Sequence, residues 1–467
     1  MDIINIINDW LWSYLLIAML LLWAIYFTIK TRGVQFRMFG EMCHLLVDSG
    51  QKHDDPRDKD VDTHHKVSSF QAFAVSIASR VGTGNMAGVA TAIALGGPGA
   101  VFWMWLIALL GSANAFVEST LAQLFKERGE QSFRGGPAYY IMRGIGKRWW
   151  AVTFAVLITI TFGFAFNSVQ ANTIAKSLEG YGAEPVIIGV VLAVMTLVII
   201  WGSIQRISRF SEVIVPVMAI LYIVLALVVI GLNITRLPAV ISLIFDKAFD
   251  MQAGAAGLFG GAVMMGIKRG LFSNEAGEGS APNVAATASV SHPVKQGLIQ
   301  TLGVFTDTLI ICTCTAFIIL FGGVDTTGSL NGIALTQASL DAEIGSGLGS
   351  IFVAVAIFCF AFTSIVANYY YGETNLQFIT PRRWVVNLYR VLVGAMVFTG
   401  AVSTLDFVWA FADITMGLMT VCNLAALAVL GRYAIILLND YNAQRLRGYD
   451  PTYHSSTLPH LDTPCWP

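Results

Sequence analysis

Charge is scarce in this chain. Of its 467 residues 12% are charged and 55% hydrophobic, whereas a soluble domain carries about a quarter charged residues. An ordinary soluble fold is excluded, and a polytopic protein embedded in a lipid bilayer is expected. The net charge of -1 leaves no bulk basic surface, so a nucleic-acid partner is not expected. Cysteine is sparse as well. Cys43, Cys312, Cys314, Cys359, Cys422 and Cys465 form no CxxC and read as free thiols behaving as small hydrophobes. His53, His64 and His65 share a charged loop, but no cysteine or paired helical spacing supports a metal site there. The N-terminus lacks a basic region and carries Asp2 and Asp9, so no cleaved signal peptide is expected. The chain also lacks GxSxG, HExxH and cofactor fingerprints, which argues against a membrane enzyme.

What the chain has is long apolar runs. They predict an all-α membrane protein of eleven transmembrane helices, at about 10–30, 67–95, 98–126, 149–176, 184–202, 210–232, 254–289, 296–322, 349–373, 384–401 and 404–434. Each run offers roughly the 20 residues a crossing needs. Segment 254–289 is too long for one straight crossing. Positive charge sets the direction. Lys and Arg crowd the loops 30–66 and 126–148 and recur at Arg206, Lys295, Arg382, Arg432 and Arg445, while the opposite side receives only Lys176, Arg236 and Lys247. The N-terminus is expected outside and the C-terminus in the cytoplasm of a cell (inner) membrane. The polar, proline-containing tail from about Asn439 reads as a loosely ordered end.

Four segments follow. Residues 1–66 hold an extra helix and a cytoplasmic loop. Residues 67–232 and 233–438 hold five helices each, the second set preceded by an external linker, and 439–467 form the tail. An odd number of helices per half makes the second half enter from the other side, as an inverted repeat. Each half opens with a glycine-interrupted helix. The first carries Arg80-Val81-Gly82-Thr83-Gly84-Asn85, and the second Gly266-Ile267-Lys268-Arg269-Gly270 running on to Phe272-Ser273-Asn274-Glu275-Ala276-Gly277. Glycines accompanied by Asn85, Ser273, Asn274 and Glu275 at membrane depth predict helices that unwind beside a cavity. Paired breaks of this kind point to a solute and ion site in a secondary transporter.

A half-helix N-terminus offers unpaired N–H groups and positive potential to a carboxylate. Freed carbonyls suit an ammonium or Na⁺. Thr363-Ser364, an adjacent hydroxyl pair near mid-span, would suit a hard cation, although such hydroxyls more often bond back to their own helix. Arg80, Glu118, Lys268, Arg269, Glu275, Glu278, Asp307 and Asp413 are charges at membrane depth, which usually pair inside the bundle. Glu118 or Asp307 is expected to brace the second break, and Arg80 to find a partner nearby. Asp413 reads as interfacial. Gln170 follows Phe162, Phe164 and Phe166, a group that reads mostly as packing. Gly96-Gly97-Pro98-Gly99 reads as a turn.

Ser79-Arg80-Val81-Gly82-Thr83-Gly84-Asn85-Met86-Ala87-Gly88, followed by Gly96-Gly97-Pro98-Gly99, resembles the alanine/glycine:cation symporter family. So does Lys268-Arg269-Gly270-Leu271-Phe272-Ser273-Asn274-Glu275-Ala276-Gly277 with Gly279-Ser280-Ala281-Pro282. The resemblance spans about residues 10–440. It implies a LeuT-type 5+5 inverted repeat preceded by one extra helix, and Na⁺-driven uptake of small neutral amino acids such as alanine and glycine. By the same resemblance, Thr83, Gly84, Asn85, Gln170, Phe272, Ser273, Asn274 and Asn368 would contact the substrate. Thr363 and Ser364, with the carbonyls of Ala78 and Val81, would hold Na⁺, and Glu118 would support the broken helix, a role for which Asp307 is the other candidate by its charge at depth. One departure stands out. Where this family often has Gly-Trp, this chain has Ala367-Asn368. A roomier, more polar pocket and a larger solute such as glutamine are therefore an alternative, as is proton-coupled transport on the same fold.

Overall fold

The long apolar stretches become helices because a backbone in lipid must satisfy its own hydrogen bonds. The computed structural model describes residues 2–48, 67–129, 132–201, 204–249, 260–326, 328, 330–345 and 347–466. His53, His64 and His65 lie outside them, as does the stretch 254–259 expected to open the long second broken helix. The chain begins with α1 (Ile6–Lys30). The first broken helix is α2 (Ser69–Arg80) and α3 (Gly84–Gly96). Then come α4 (Ala100–Leu124), α5 (Arg148–Glu179), α6 (Pro185–Ile200), α7 (Ile204–Leu232) and a short α8 (Leu237–Ala248). The second broken helix is α9 (Gly261–Asn274) and α10 (Pro282–Ala285). It is followed by α11 (Pro293–Gly322), α12 (Ile333–Ile344), α13 (Leu348–Ile379), α14 (Arg383–Val402) and α15 (Leu405–Leu446).

Eight helices among the described residues are long and apolar enough to cross a bilayer, and α3 and α6 are shorter apolar helices. The exposed face of α7 is Val213, Val217, Ile220, Val224, Leu227 and Val228, a surface that water would not tolerate and lipid would. Inside the bundle the packing is dense, with Phe116, Phe154, Tyr222 and Tyr371 fully buried. Helices α8 and α12 lie outside the expected spans, as do the short helices Val34–Arg37, Phe39–Asp48 and Pro137–Tyr140.

The two broken helices run in opposite directions. The start of α2 lies beside the end of α10, where Val67 bridges Ala288 and Ser289 N–H donates to the Val67 carbonyl at 3.2 Å. Gly96, at the end of α3, packs against Gly261 and Met265 at the start of α9. Both breaks therefore fall midway, opposite each other.

The tail is not loosely ordered. Helix α15 runs on to Leu446, and the chain beyond it folds back on the bundle. Tyr453 N–H donates to the Ser291 carbonyl at 2.9 Å, Lys295 pairs with Asp450 at 2.6 Å, and Trp466 Nε1 donates to the Gln123 carbonyl at 3.0 Å. Tyr453 is fully buried there. The same end carries the antiparallel pair Glu127–Arg128 and Phe133–Arg134, and it is called the tail end below.

Candidate binding site at the paired helix breaks

Helix α2 starts firmly. Ser68 and Gln71 form a reciprocal capping box, which satisfies two otherwise orphaned donors. The helix stops at Arg80 because Val81 turns extended (φ -79°, ψ 91°). Gly82 N–H leaves the helix ladder and donates to Asn85 Oδ1 at 2.9 Å. The Ala78 carbonyl therefore loses the partner an unbroken helix would supply. Both Thr83 N–H (2.9 Å) and Thr83 Oγ1 (2.7 Å) donate to Gln170 Oε1. A Cβ on Gly82 would sit 2.8 Å from that same oxygen and collide with Ser364 Oγ, so this approach needs glycine.

Ser364 reaches the break from α13. Its Oγ lies 2.8 Å from the Ala78 carbonyl, 3.3 Å from the Val81 carbonyl and 2.9 Å from the Phe360 carbonyl of its own helix. One hydroxyl hydrogen cannot serve three acceptors. The Ala78 and Val81 carbonyls thus converge with the Ser364 oxygen on one place, a donor set whose chemistry suits a hard cation. Thr363 behaves differently, since its Oγ1 bonds the Phe360 carbonyl at 2.8 Å.

The second break is built by backbone geometry. Glu275 takes a left-handed conformation (φ 57°), and Gly277 (φ 93°) and Gly279 (φ 84°) follow in the region that favours glycine. Side chains meet several of the freed groups. Glu118, fully buried on α4, accepts from Gly277 N–H and Gly279 N–H at 3.1 Å each and from Asn423 Nδ2 at 2.9 Å. Asn423 also donates to the Gly277 carbonyl at 2.9 Å, and Asn283 Nδ2 to the Gly279 and Ser280 carbonyls. An unwound segment survives at this depth because side chains replace the lost ladder.

The two breaks touch. A Cβ on Gly84 would lie 3.0 Å from Ser273 Cα and 3.1 Å from the Phe272 ring. Asp307, on the π-helical stretch Phe305–Cys312 of α11, accepts from Asn85 Nδ2 at 2.6 Å and from Ser273 Oγ at 2.8 Å. One carboxylate thus ties both breaks together and does more than brace the second. Phe272 packs between Phe166 (4.4 Å) and Trp409 (4.7 Å), so Phe166 belongs to the site wall. Asn274 Oδ1 caps Ala276 N–H, while its Nδ2 is buried with no hydrogen-bond partner among the described residues. Asn368 sits slightly toward the tail end, bonded to Ser79 Oγ (2.7 Å) and Asn167 Oδ1 (3.1 Å).

Two charged groups differ from expectation. Arg80 makes no ion pair among the described residues; its Nη1 donates to the Gln300 carbonyl at 3.2 Å and its other nitrogens have no partner. Asp413 is not a loose interfacial group. It is buried and pairs with both Lys268 and Arg269 at 2.7 Å, and Arg269 also lies 4.0 Å over the Trp409 ring. Trp409, Asn167 and Asn423 were missing from the sequence candidates, since a single tryptophan or asparagine in an apolar helix carries no spacing signal.

Residues 1–455 match the model of the sodium:alanine symporter family. The chain belongs to that family. Among its relatives is a protein of Bacillus subtilis (strain 168) named probable sodium/glutamine symporter GlnT, 49% identical over 467 residues, covering 100% of this chain and 96% of the relative. The amino-acid carrier protein AlsT of the same organism is 50% identical over 461 residues, 98% of this chain and 96% of the relative. The sodium/alanine symporter AgcS of Methanococcus maripaludis is 34% identical over 455 residues, 95% of this chain and 98% of the relative. The fold is the LeuT fold of solved transporters. MhsT in complex with L-phenylalanine superposes with a TM-score of 0.60 at 16% identity, covering 80% of this chain and 96% of that one. The protein is a multi-pass membrane transporter and not an enzyme.

Proposed function

We propose that this chain imports a small neutral amino acid, alanine or glycine, in symport with Na⁺ by alternating access. The observation that carries the reading is the cradle at the first break, where the Ala78 and Val81 carbonyls converge on Ser364. Na⁺ would rest among these oxygens and hold α2 against α13, with Thr363 beside it. The amino acid would lie between the breaks. Its carboxylate would meet the N-terminus of α3 at Gly84 and Asn85, next to Thr83 and Gln170, under the Phe272 ring and beside Ser273 and Asn274. Residues 67–232 and 233–438 would move against each other as inverted halves about this site, with the N-terminus outside and the C-terminus in the cytoplasm.

Relatives named for alanine and for glutamine leave two substrate sizes. The amide-lined wall of Asn368 and Asn167 favours testing glutamine as the second reading. Purified protein in liposomes, loaded with an inward Na⁺ gradient and labelled alanine, decides the first point. Uptake is expected to collapse when K⁺ replaces Na⁺, and uptake that is equal in both salts refutes the coupling. Competition by glycine, serine and glutamine then ranks the substrates.

A further inference from the structure

A single hydrogen is missing from the network that joins the two broken helices. Asn167 Nδ2 donates to the Gly163 carbonyl at 3.2 Å, which fixes Asn167 Oδ1 as the acceptor for Asn368 Nδ2 at 3.1 Å. Asn368 Oδ1 therefore faces Ser79 Oγ at 2.7 Å. Flipping either amide would set oxygen against oxygen. An amide oxygen cannot donate, so the one hydroxyl hydrogen of Ser79 goes to Asn368. Yet Ser79 Oγ also lies 2.6 Å from Glu275 Oε1. With the serine hydrogen spent, a bare carboxylate would press lone pair against lone pair. A hydrogen on Glu275 Oε1, donated to Ser79, completes the chain, while Glu275 Oε2 accepts from Ser280 Oγ at 2.5 Å. All five side chains are buried.

We propose that Glu275 is a proton-binding site of the transport cycle. It holds a proton while α2 and the second break are latched through Ser79, and releases it to water at the tail end when they part. The step is simple. The Glu275 O–H bond breaks, the proton passes to water, and a carboxylate remains. Its counter-charge is at hand in Arg80, the residue after Ser79, whose Nε and Nη2 have no hydrogen-bond partner among the described residues. The groups facing Glu275 are Arg80 from α2, Glu278 from its own loop and Tyr371 from α13, and Glu118 from α4 faces Glu278 and Arg80 in turn. Both oxygens of Glu278 are likewise buried without a hydrogen-bond partner among the described residues, and four carboxylates, Glu118, Glu275, Glu278 and Asp307, share the one guanidinium of Arg80. A chamber so arranged gains from neutralising one of them. Ser79 also follows Ala78, whose carbonyl forms the proposed Na⁺ cradle, so the proton and the cation act on one turn of helix.

The proposal rests on the Na⁺-coupled reading, and its test keeps the two apart. Glu275→Gln replaces the donated O–H with N–H and keeps an acceptor for Ser280, so the latch survives without a titratable group. In liposomes containing a fluorescent pH dye, alanine with Na⁺ should move protons in the wild type and leave the dye signal at background in E275Q. Na⁺-dependent alanine binding by E275Q should stay within about threefold of wild type at neutral pH. The apparent Na⁺ affinity should vary with pH in the wild type and be flat in E275Q. Should E275Q fail to assemble, Ser79→Ala, which removes the acceptor of that hydrogen, should shift the wild-type pH profile. A wild type that moves no protons, or pH profiles identical in wild type and variant, overturns the proton site while leaving Na⁺ symport standing. Loss of Na⁺ dependence in the wild type removes the symport reading itself.

Discussion

Ser364 Oγ stands 2.8 Å from the carbonyl of Ala78, a residue 286 positions earlier in the chain. That contact exists because α2 ends two residues later and Gly82 N–H has turned away to Asn85. A helix break, a glycine and a distant hydroxyl are one device: remove any member and the freed carbonyl is either covered or left facing nothing.

Gly82 is the tightest part of that device. Gly82→Ala places a methyl 2.8 Å from Gln170 Oε1 and against Ser364 Oγ. Both neighbours are held by hydrogen bonds, Gln170 to Thr83 and Ser364 to the Ala78 carbonyl, so displacing either breaks part of the site. Na⁺-driven uptake is expected to fall more than about tenfold, equivalent to about 1.4 kcal/mol, with membrane abundance unchanged on an immunoblot.

Glu118 serves three donors at the second break. Hydrogen bonds to a charged group contribute about 1.5–3 kcal/mol each, and Glu118→Ala strands all three in the interior. A loss of several kcal/mol is expected, seen as a clear fall in the thermal unfolding midpoint in detergent. Glu118→Gln keeps an acceptor oxygen and should fall between the two.

Asn368 is held at both ends, by Ser79 and Asn167. Asn368→Trp removes that bridge and fills the wall with an indole. The competition profile should narrow toward alanine and glycine, with glutamine inhibition weakened by about tenfold or more. An unchanged profile means that this wall does not face the substrate.

At the tail end, His292 caps α11, bonds Asp440 at 3.3 Å and packs on Tyr441 and Tyr453. Burial pushes its pKa below the usual 6.5, with the Asp440 bond opposing that in part. The folded state thus keeps His292 neutral where the unfolded chain would protonate it. No penalty exists above about pH 6.5, and stability falls as pH drops below that value. The unfolding midpoint should decline between about pH 7 and pH 5, and His292→Gln should flatten that portion of the curve.

Both breaks were legible in the sequence because glycine beside Asn85 or Glu275 contradicts an apolar helix. The brace was legible as far as a choice between Glu118 and Asp307, two of several carboxylates at depth. The Ser79–Glu275 contact was not, since nothing local links residues 196 positions apart. The docked tail was misread for a related reason. Its anchors, Tyr453 and Trp466, are isolated aromatics in a polar, proline-containing run, and periodicity cannot reveal what they pack against. Helices α8 and α12 escaped notice because they are short and partly polar.

Equilibrium binding of labelled alanine to the purified protein, titrated with Na⁺, tests the cradle most directly. Binding should require Na⁺, and Ser364→Ala should raise the half-saturating Na⁺ concentration about tenfold or more while leaving the protein folded. Alanine bound equally well in K⁺, or a Na⁺ curve unmoved by Ser364→Ala, would contradict the account.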